Sequence, residues 1–123
     1  MADMNDKKKI LDRLVIAEGA SVFNEGERGD RAYVVQEGAI EISRKDEFGN
    51  PIVLGKVEKG GIFGEMALID DQPRMATARA LIATTVISVP RNVFSTKLAK
   101  CDPFIRGLLG IFVRNIRSMA QNH

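Results

Sequence analysis

Tryptophan is absent, and tyrosine, cysteine and histidine occur once each, as Tyr33, Cys101 and His123. A lone cysteine forms no intrachain disulfide and holds no thiolate metal site by itself. Cys101 therefore reads as a small packing residue near a helix end, and a reduced, cytoplasmic setting is expected. A single histidine at the very end of the chain supports neither a Ser–His–Asp triad nor a histidine metal site. The few aromatics are not interleaved with basic residues, so the stacking platform of a single-strand nucleic-acid binder is missing. An excess of one charge is missing too: 18 basic residues face 16 acidic ones, for a net charge of +2. That balance gives no argument for nucleic acid. The one dense basic run, Lys7-Lys8-Lys9, reads as part of a flexible, solvated tail over residues 1–9. No apolar stretch of signal-peptide length follows it, and no window approaches the roughly 18–20 apolar residues that span a bilayer.

What is present is a core. Hydrophobic residues make up 45% of 123 positions, enough for one domain without staples. Short apolar runs are cut by turns at Glu25–Asp30, Asp46–Pro51 and Glu58–Gly61. Strands are expected near 11–17, 20–24, 31–36, 38–45 and 52–57. The alternation of Ile40 and Ile42 with Glu41 and Ser43 marks one of them. The β-branched run Thr84–Val89 marks a later strand. Many short strands at regular spacing predict a mainly β fold, a closed or two-sheet antiparallel roll.

After Pro90 the period changes. Val93, Phe94 and Leu98 give a short helical pattern within 91–100. Asp102-Pro103 reads as a cap with proline at the first helical position. Ile105, Leu108, Leu109, Phe112, Ile116 and Met119 then form the apolar stripe of an amphipathic helix of about 17 residues. Gly107 and Gly110 weaken it, and serve either close approach to the roll or a bend. Residues 121–123 read as a frayed end.

One segment does not suit a plain sheet: Gly60 to Ala78. Glycines open it, a short helix-forming stretch Glu65 to Ile69 follows, and a turn at Asp70 to Pro73 leads to Arg74. Gly64 lets backbone approach a ligand without a Cβ in the way. The first turn of the short helix offers free amides to an anion. Arg74 offers a planar fork of donors that suits a phosphate. Met75 and Ala76 follow it, Ala76 and Thr77 keep the pocket close to the backbone, and Thr77 can add a hydroxyl donor. Glu65 repels a phosphate, so it either accepts from a neutral group such as a ribose hydroxyl or pairs with Arg74. The implied ligand carries one phosphate and a sugar edge. Asp70 and Asp71, adjacent in a turn, read as solvated.

The run Phe63-Gly64-Glu65-Met66-Ala67-Leu68, then Pro73-Arg74-Met75-Ala76-Thr77, resembles the phosphate-binding cassette of the cyclic nucleotide-binding domain family. Gly26, Gly29-Asp30, Tyr33 and Gly38 agree with the family's upstream turns and strand, and the likeness covers roughly residues 10–120. The resemblance implies a jelly-roll-like β-roll of about eight strands, a short cassette helix, and C-terminal helices over 91–120 that act as lid and switch. It implies that the amides around Gly64, Glu65, Met66 and Ala67, and those of Met75 and Ala76, face the ligand. Glu65 would accept from the ribose 2′-hydroxyl and Arg74 would pair with the cyclic phosphate. Met75 stands where members favouring cyclic GMP often carry threonine. It offers adenine a soft apolar surface, which places cyclic AMP ahead of cyclic GMP. Arg114 or Arg117 would reach the base. The helical segment usual upstream of the roll is expected to be short or absent here, and no output domain is expected after the tail.

The expected function is therefore a non-catalytic cyclic nucleotide sensor without cofactor or metal. Its partner would be an unidentified protein, or a second copy, engaged through the C-terminal helix. Two other readings stand beside it. One is a ligand-free structural or adaptor protein on the same fold; separately, the bland reading of the site makes Arg74 a surface arginine with Glu65 as its ion-pair partner. An enzyme on a similar roll would need metal ligands or a general base, and neither is visible.

Overall fold

Alternating runs become strands close to where they are read. In the computed structural model, which describes residues 11–121, β1 (Asp12–Ile16), β2 (Ser21–Phe23), β3 (Arg31–Glu37), β4 (Ala39–Lys45) and β5 (Pro51–Glu58) each lie within one residue of the expected ends. The tail over residues 1–9, any helix upstream of the roll, and His123 lie outside the described residues. Two strands escape the sequence pattern: β6 (Ile62–Phe63) and β7 (Thr77–Ala80). Two residues are too short to show a period. Thr-Ala-Arg-Ala lacks the β-branched character of a typical strand. Yet Ala78 and Ala80 are fully buried, at 0% and 1% exposure, because small side chains are what fits beneath the opposing sheet. The last strand, β8 (Thr84–Pro90), is the β-branched run.

The eight strands form two four-stranded antiparallel sheets, ordered β1-β8-β3-β6 and β2-β7-β4-β5. This is the expected two-sheet roll. Tyr33, Val35, Phe63 and Val86 of the first sheet meet Ile40, Ala78 and Ala80 of the second to make the core. Two hydroxyls buried beside it are satisfied. Thr84 Oγ1 donates to the Ile82 carbonyl at 2.8 Å, and Ser88 Oγ accepts from Arg31 Nη1 at 2.9 Å.

Among the described residues, three helices follow the pattern of caps and breaks. Helix α1 (Met66–Asp70) starts one residue later than expected. Glu65 lies just outside it, and its carbonyl accepts from the Leu68 and Ile69 amides. Pro90 ends β8 and stands before α2 (Arg91–Ala99). Helix α3 (Pro103–Gln121) opens with the Asp102 carboxylate accepting the Phe104 amide at 2.8 Å. Gln121 is thus the last residue of the helix. A Cβ on Gly107 or Gly110 would meet nothing within 4 Å, so neither glycine serves close packing on the roll.

The apolar stripe of α3 is mostly turned outward, with only Leu108 and Leu109 half-buried. Val113 and Ala120, at 4% and 7% exposure, take the inner side with Arg117 between them. Ile105, Phe112, Ile116 and Met119 of the stripe, joined by Phe104 and Ile111, are between 42% and 72% exposed. The inner row repeats at spacings of four and three just as the stripe does, so the period alone left two faces open. On the inner face Arg117 makes a short polar tie to α1.

Candidate functional site

The guanidinium of Arg74 is the centre of the site. The residue is only 6% exposed. It leaves the loop after α1 and lies over the Phe23 ring, with Cζ 3.9 Å from the ring centroid. Phe23 belongs to an aromatic trio with Tyr33 and Phe63, the latter two stacked at 5.2 Å. Nη1 donates to the Gly64 carbonyl at 2.7 Å and Nη2 to the Arg31 carbonyl at 2.8 Å. Those bonds fix the plane of the fork but neutralise nothing. Among the described residues no carboxylate forms an ion pair with it. Its buried Nε has no acceptor. Burial pushes its pKa below the ordinary arginine value, with Tyr33, Asp30 and Glu27 pulling the other way. Arg74 is therefore not a surface residue paired with Glu65.

Two glycines make room for this arrangement. Gly64 has φ +81°, and a Cβ there would lie 2.9 Å from Arg74 Nη1 and 3.1 Å from the Phe23 ring. A Cβ on Gly29 would intrude on the guanidinium itself.

A cavity of about 200 Å³ opens beside the fork. Gly64, Glu65, Met66, Ala67, Arg74, Met75 and Ala76 all line it. The opposite wall is apolar, from Ile42, Val57 and Ile62. Of the eight residues singled out in the sequence, Thr77 stands apart: it is in β7, and its Oγ1 accepts the Glu25 amide at 2.9 Å. With Leu68 and Ile69 turned back onto Glu65, the Met66 and Ala67 amides begin the helix without intrahelical acceptors. One buried cation, first-turn amides and one carboxylate thus share a cavity. The family model for the cyclic nucleotide-binding domain matches residues 13–101.

The chain belongs to that family.

The cAMP-dependent protein kinase regulatory subunit of Yarrowia lipolytica is 35% identical over 96 residues, covering 76% of this chain and 25% of that protein. The CRP-like cAMP-activated global transcriptional regulator of Mycobacterium tuberculosis is 28% identical over 114 residues, covering 93% of this chain and 51% of that protein. Among solved structures, the cAMP-bound form of the EAL enzyme Bd1971 superposes with a TM-score of 0.82 at 30% identity, over 86% of this chain and 28% of that one. The chain thus spans a quarter to about half of the relatives it resembles.

Within this cyclic nucleotide-binding domain, Glu65 is, among the described residues, the one carboxylate on the cavity wall. Burial raises its pKa above the ordinary 4.5, while its own amide and the Arg74 charge oppose the rise. The sign for stability follows. The folded state holds this proton more tightly than the unfolded one, so stability falls as pH climbs above 4.5 through the folded value. Glu65→Gln is therefore expected to melt above the parent at pH 7, with the gain vanishing once the pH drops below 4.5. Thermal melts of both proteins across that range check it, and an equal or lower melting temperature at pH 7 contradicts it.

Several site residues were not legible as such. Phe23 has no signal beyond being aromatic. Gly29 was visible only as a turn glycine. Asp70 is not free in solvent, since it pairs with Arg117 at 2.5 Å with its side chain 17% exposed; Asp71 is solvated as expected, 74% exposed, and pairs with Arg91 at 2.6 Å. Of the two arginines offered for the base, Arg117 lines the cavity and Arg114 is exposed. Among the described residues, no helix is long and apolar enough to cross a membrane.

Proposed function

We propose that this domain binds a cyclic mononucleotide, cyclic AMP ahead of cyclic GMP, and acts as a non-catalytic sensor in the cytoplasm. The carrying observation is Arg74: a buried guanidinium with an unused donor and, among the described residues, no carboxylate in ion-pair contact, lining a cavity. A cyclic phosphate supplies the missing negative charge, and an arginine fork receives it with directional bonds. The Met66 and Ala67 amides add donors. Glu65 accepts from the ribose 2′-hydroxyl. Ile42, Val57, Ile62 and Met75 give the base an apolar surface. Thr77 stays a candidate donor only through the hydroxyl proton that its bond to Glu25 leaves free. The names of the matched regulatory subunit and transcriptional regulator support the non-catalytic reading. The role of Glu65 is tested by calorimetry with cyclic AMP and 2′-deoxy cyclic AMP. The parent is expected to prefer the ribose form by about tenfold, the worth of one charge-assisted bond, and Glu65→Gln to lose that preference. An unchanged preference in the variant removes Glu65 from the ribose contact.

The output we assign to α3, and its partner to a second copy of this chain. Ile105, Leu108, Phe112 and Met119 sit at the apolar positions of a 3.5-residue repeat, with Asn115 on the same seam. A single seam asparagine is a known device for fixing register. Arg106 and Arg114 lie off the seam, and the helix carries no acidic residue, so the face asks for an apolar partner and not a charged one. Phe104, Ile105, Ile111, Phe112, Ile116 and Met119, each 42–72% exposed, make one apolar face of the kind that an association partner covers.

A further inference from the structure

Helix α3 meets the rest of the domain chiefly at α1. Arg117 makes three bonds across that junction: Nε to Asp70 Oδ2 at 2.5 Å, Nη2 to Asp70 Oδ1 at 3.0 Å, and Nη1 to the Pro73 carbonyl at 3.0 Å. The pair is bidentate, and its side chains are only 15% and 17% exposed, so water and salt screen it little. Its acceptors span the segment from the last residue of α1 to the residue before Arg74. The far side of that segment is held as well. The Arg74 amide donates to the Glu27 carbonyl, and the Gly26 amide donates to the Arg74 carbonyl, both at 2.8 Å. The stretch from Asp70 to Arg74 is thus gripped between one turn of the roll and one side chain of α3.

We propose that Asp70 and Arg117 are positioning residues for the ligand anchor. Their bidentate clasp holds the segment that aims Arg74, and so makes docking of α3 and occupancy of the cavity one equilibrium. This rests on the cyclic nucleotide reading and adds to it the joint through which the two are coupled. Linkage makes the effect reciprocal. A clasp that favours the binding geometry strengthens ligand binding, and bound ligand strengthens the clasp. Asp70 is the better probe, because it does not line the cavity while Arg117 does. An effect shared by both residues therefore passes through the clasp and not through direct contact with ligand.

The test uses the full chain, with Asp70→Asn, Arg117→Gln, both together, and Arg117→Lys. Amide exchange is read without ligand, and cyclic AMP affinity is read by calorimetry. Asp70→Asn is expected to lower protection of α3 about tenfold while leaving the β4–β5 pair unchanged, and to weaken cyclic AMP about 5- to 20-fold, within the usual range of coupling. The double variant should be no weaker than Arg117→Gln alone, because both changes remove one interaction. Arg117→Lys should retain part of the affinity. Parent-level α3 protection and affinity in Asp70→Asn, additive losses in the double variant, or an equal loss of protection in β4–β5 each overturn the clasp. If the parent itself does not bind cyclic AMP, both the function and the clasp fall. If the parent binds and Asp70→Asn matches it, the clasp alone falls.

Discussion

Arg74→Ala is expected to weaken cyclic AMP binding by between about 30-fold and several thousand-fold, the equivalent of roughly 2–5 kcal/mol for truncating one side of a buried charge-assisted contact. The fold should survive. Removing the side chain strands the Gly64 and Arg31 carbonyls, which costs stability, and also removes a buried cation with no carboxylate partner, which restores some. Gly29→Ala is expected to reproduce the loss by another route. Its Cβ would occupy the place of the guanidinium. The side chain that must move is flexible, so the anchor swings away and the sheets stay in place. Calorimetry measures both affinities, and a dispersed amide NMR spectrum certifies the fold. An Arg74→Ala protein that binds like the parent would put the phosphate elsewhere.

Phe112→Asp combined with Ile116→Asp is expected to abolish self-association, raising the dissociation constant at least 100-fold. Phe112 lies on the seam and Ile116 flanks it, so the two carboxylates would be placed in and beside the apolar contact between copies, and desolvating an unpaired charge costs several kcal/mol. The same positions are 51% and 42% exposed in the single chain, so the fold has no reason to change. Sedimentation equilibrium gives the answer: two chains per particle for the parent at tens of micromolar, one for the variant. A parent that stays single at several hundred micromolar removes the second copy as the partner of α3.

The sequence carried the sheets well where apolar and polar residues alternate, as in β4, and where β-branched residues cluster, as in β8. It failed at β7, because a strand of small residues chosen for depth of burial has no propensity of its own. It carried the cassette through residue types, since Gly64, Glu65 and Arg74 each have a narrow physical use. It did not carry the surroundings of Arg74. Phe23 lies 51 positions before it in the chain, and nothing local marks a ring as the floor of a guanidinium site. The facing of α3 was lost for a related reason. Periodicity finds an apolar row, but the row that turns inward carries a long-range pair, Asp70 with Arg117, 47 residues apart, that no local pattern shows. The larger apolar row then stays outside, where it suits association better than ligand cover.

The central claim is that the buried Arg74 awaits a cyclic phosphate. A calorimetric titration of the purified chain with cyclic AMP, cyclic GMP and linear 5′-AMP tests it most directly. The account predicts one site per chain, cyclic AMP bound more tightly than cyclic GMP, and linear AMP weaker than either by at least about 30-fold, because its doubly charged, freely rotating phosphate does not match a cavity built for a singly charged ring. No heat with any of the three at millimolar concentration, or equal affinity for linear and cyclic AMP, would contradict it.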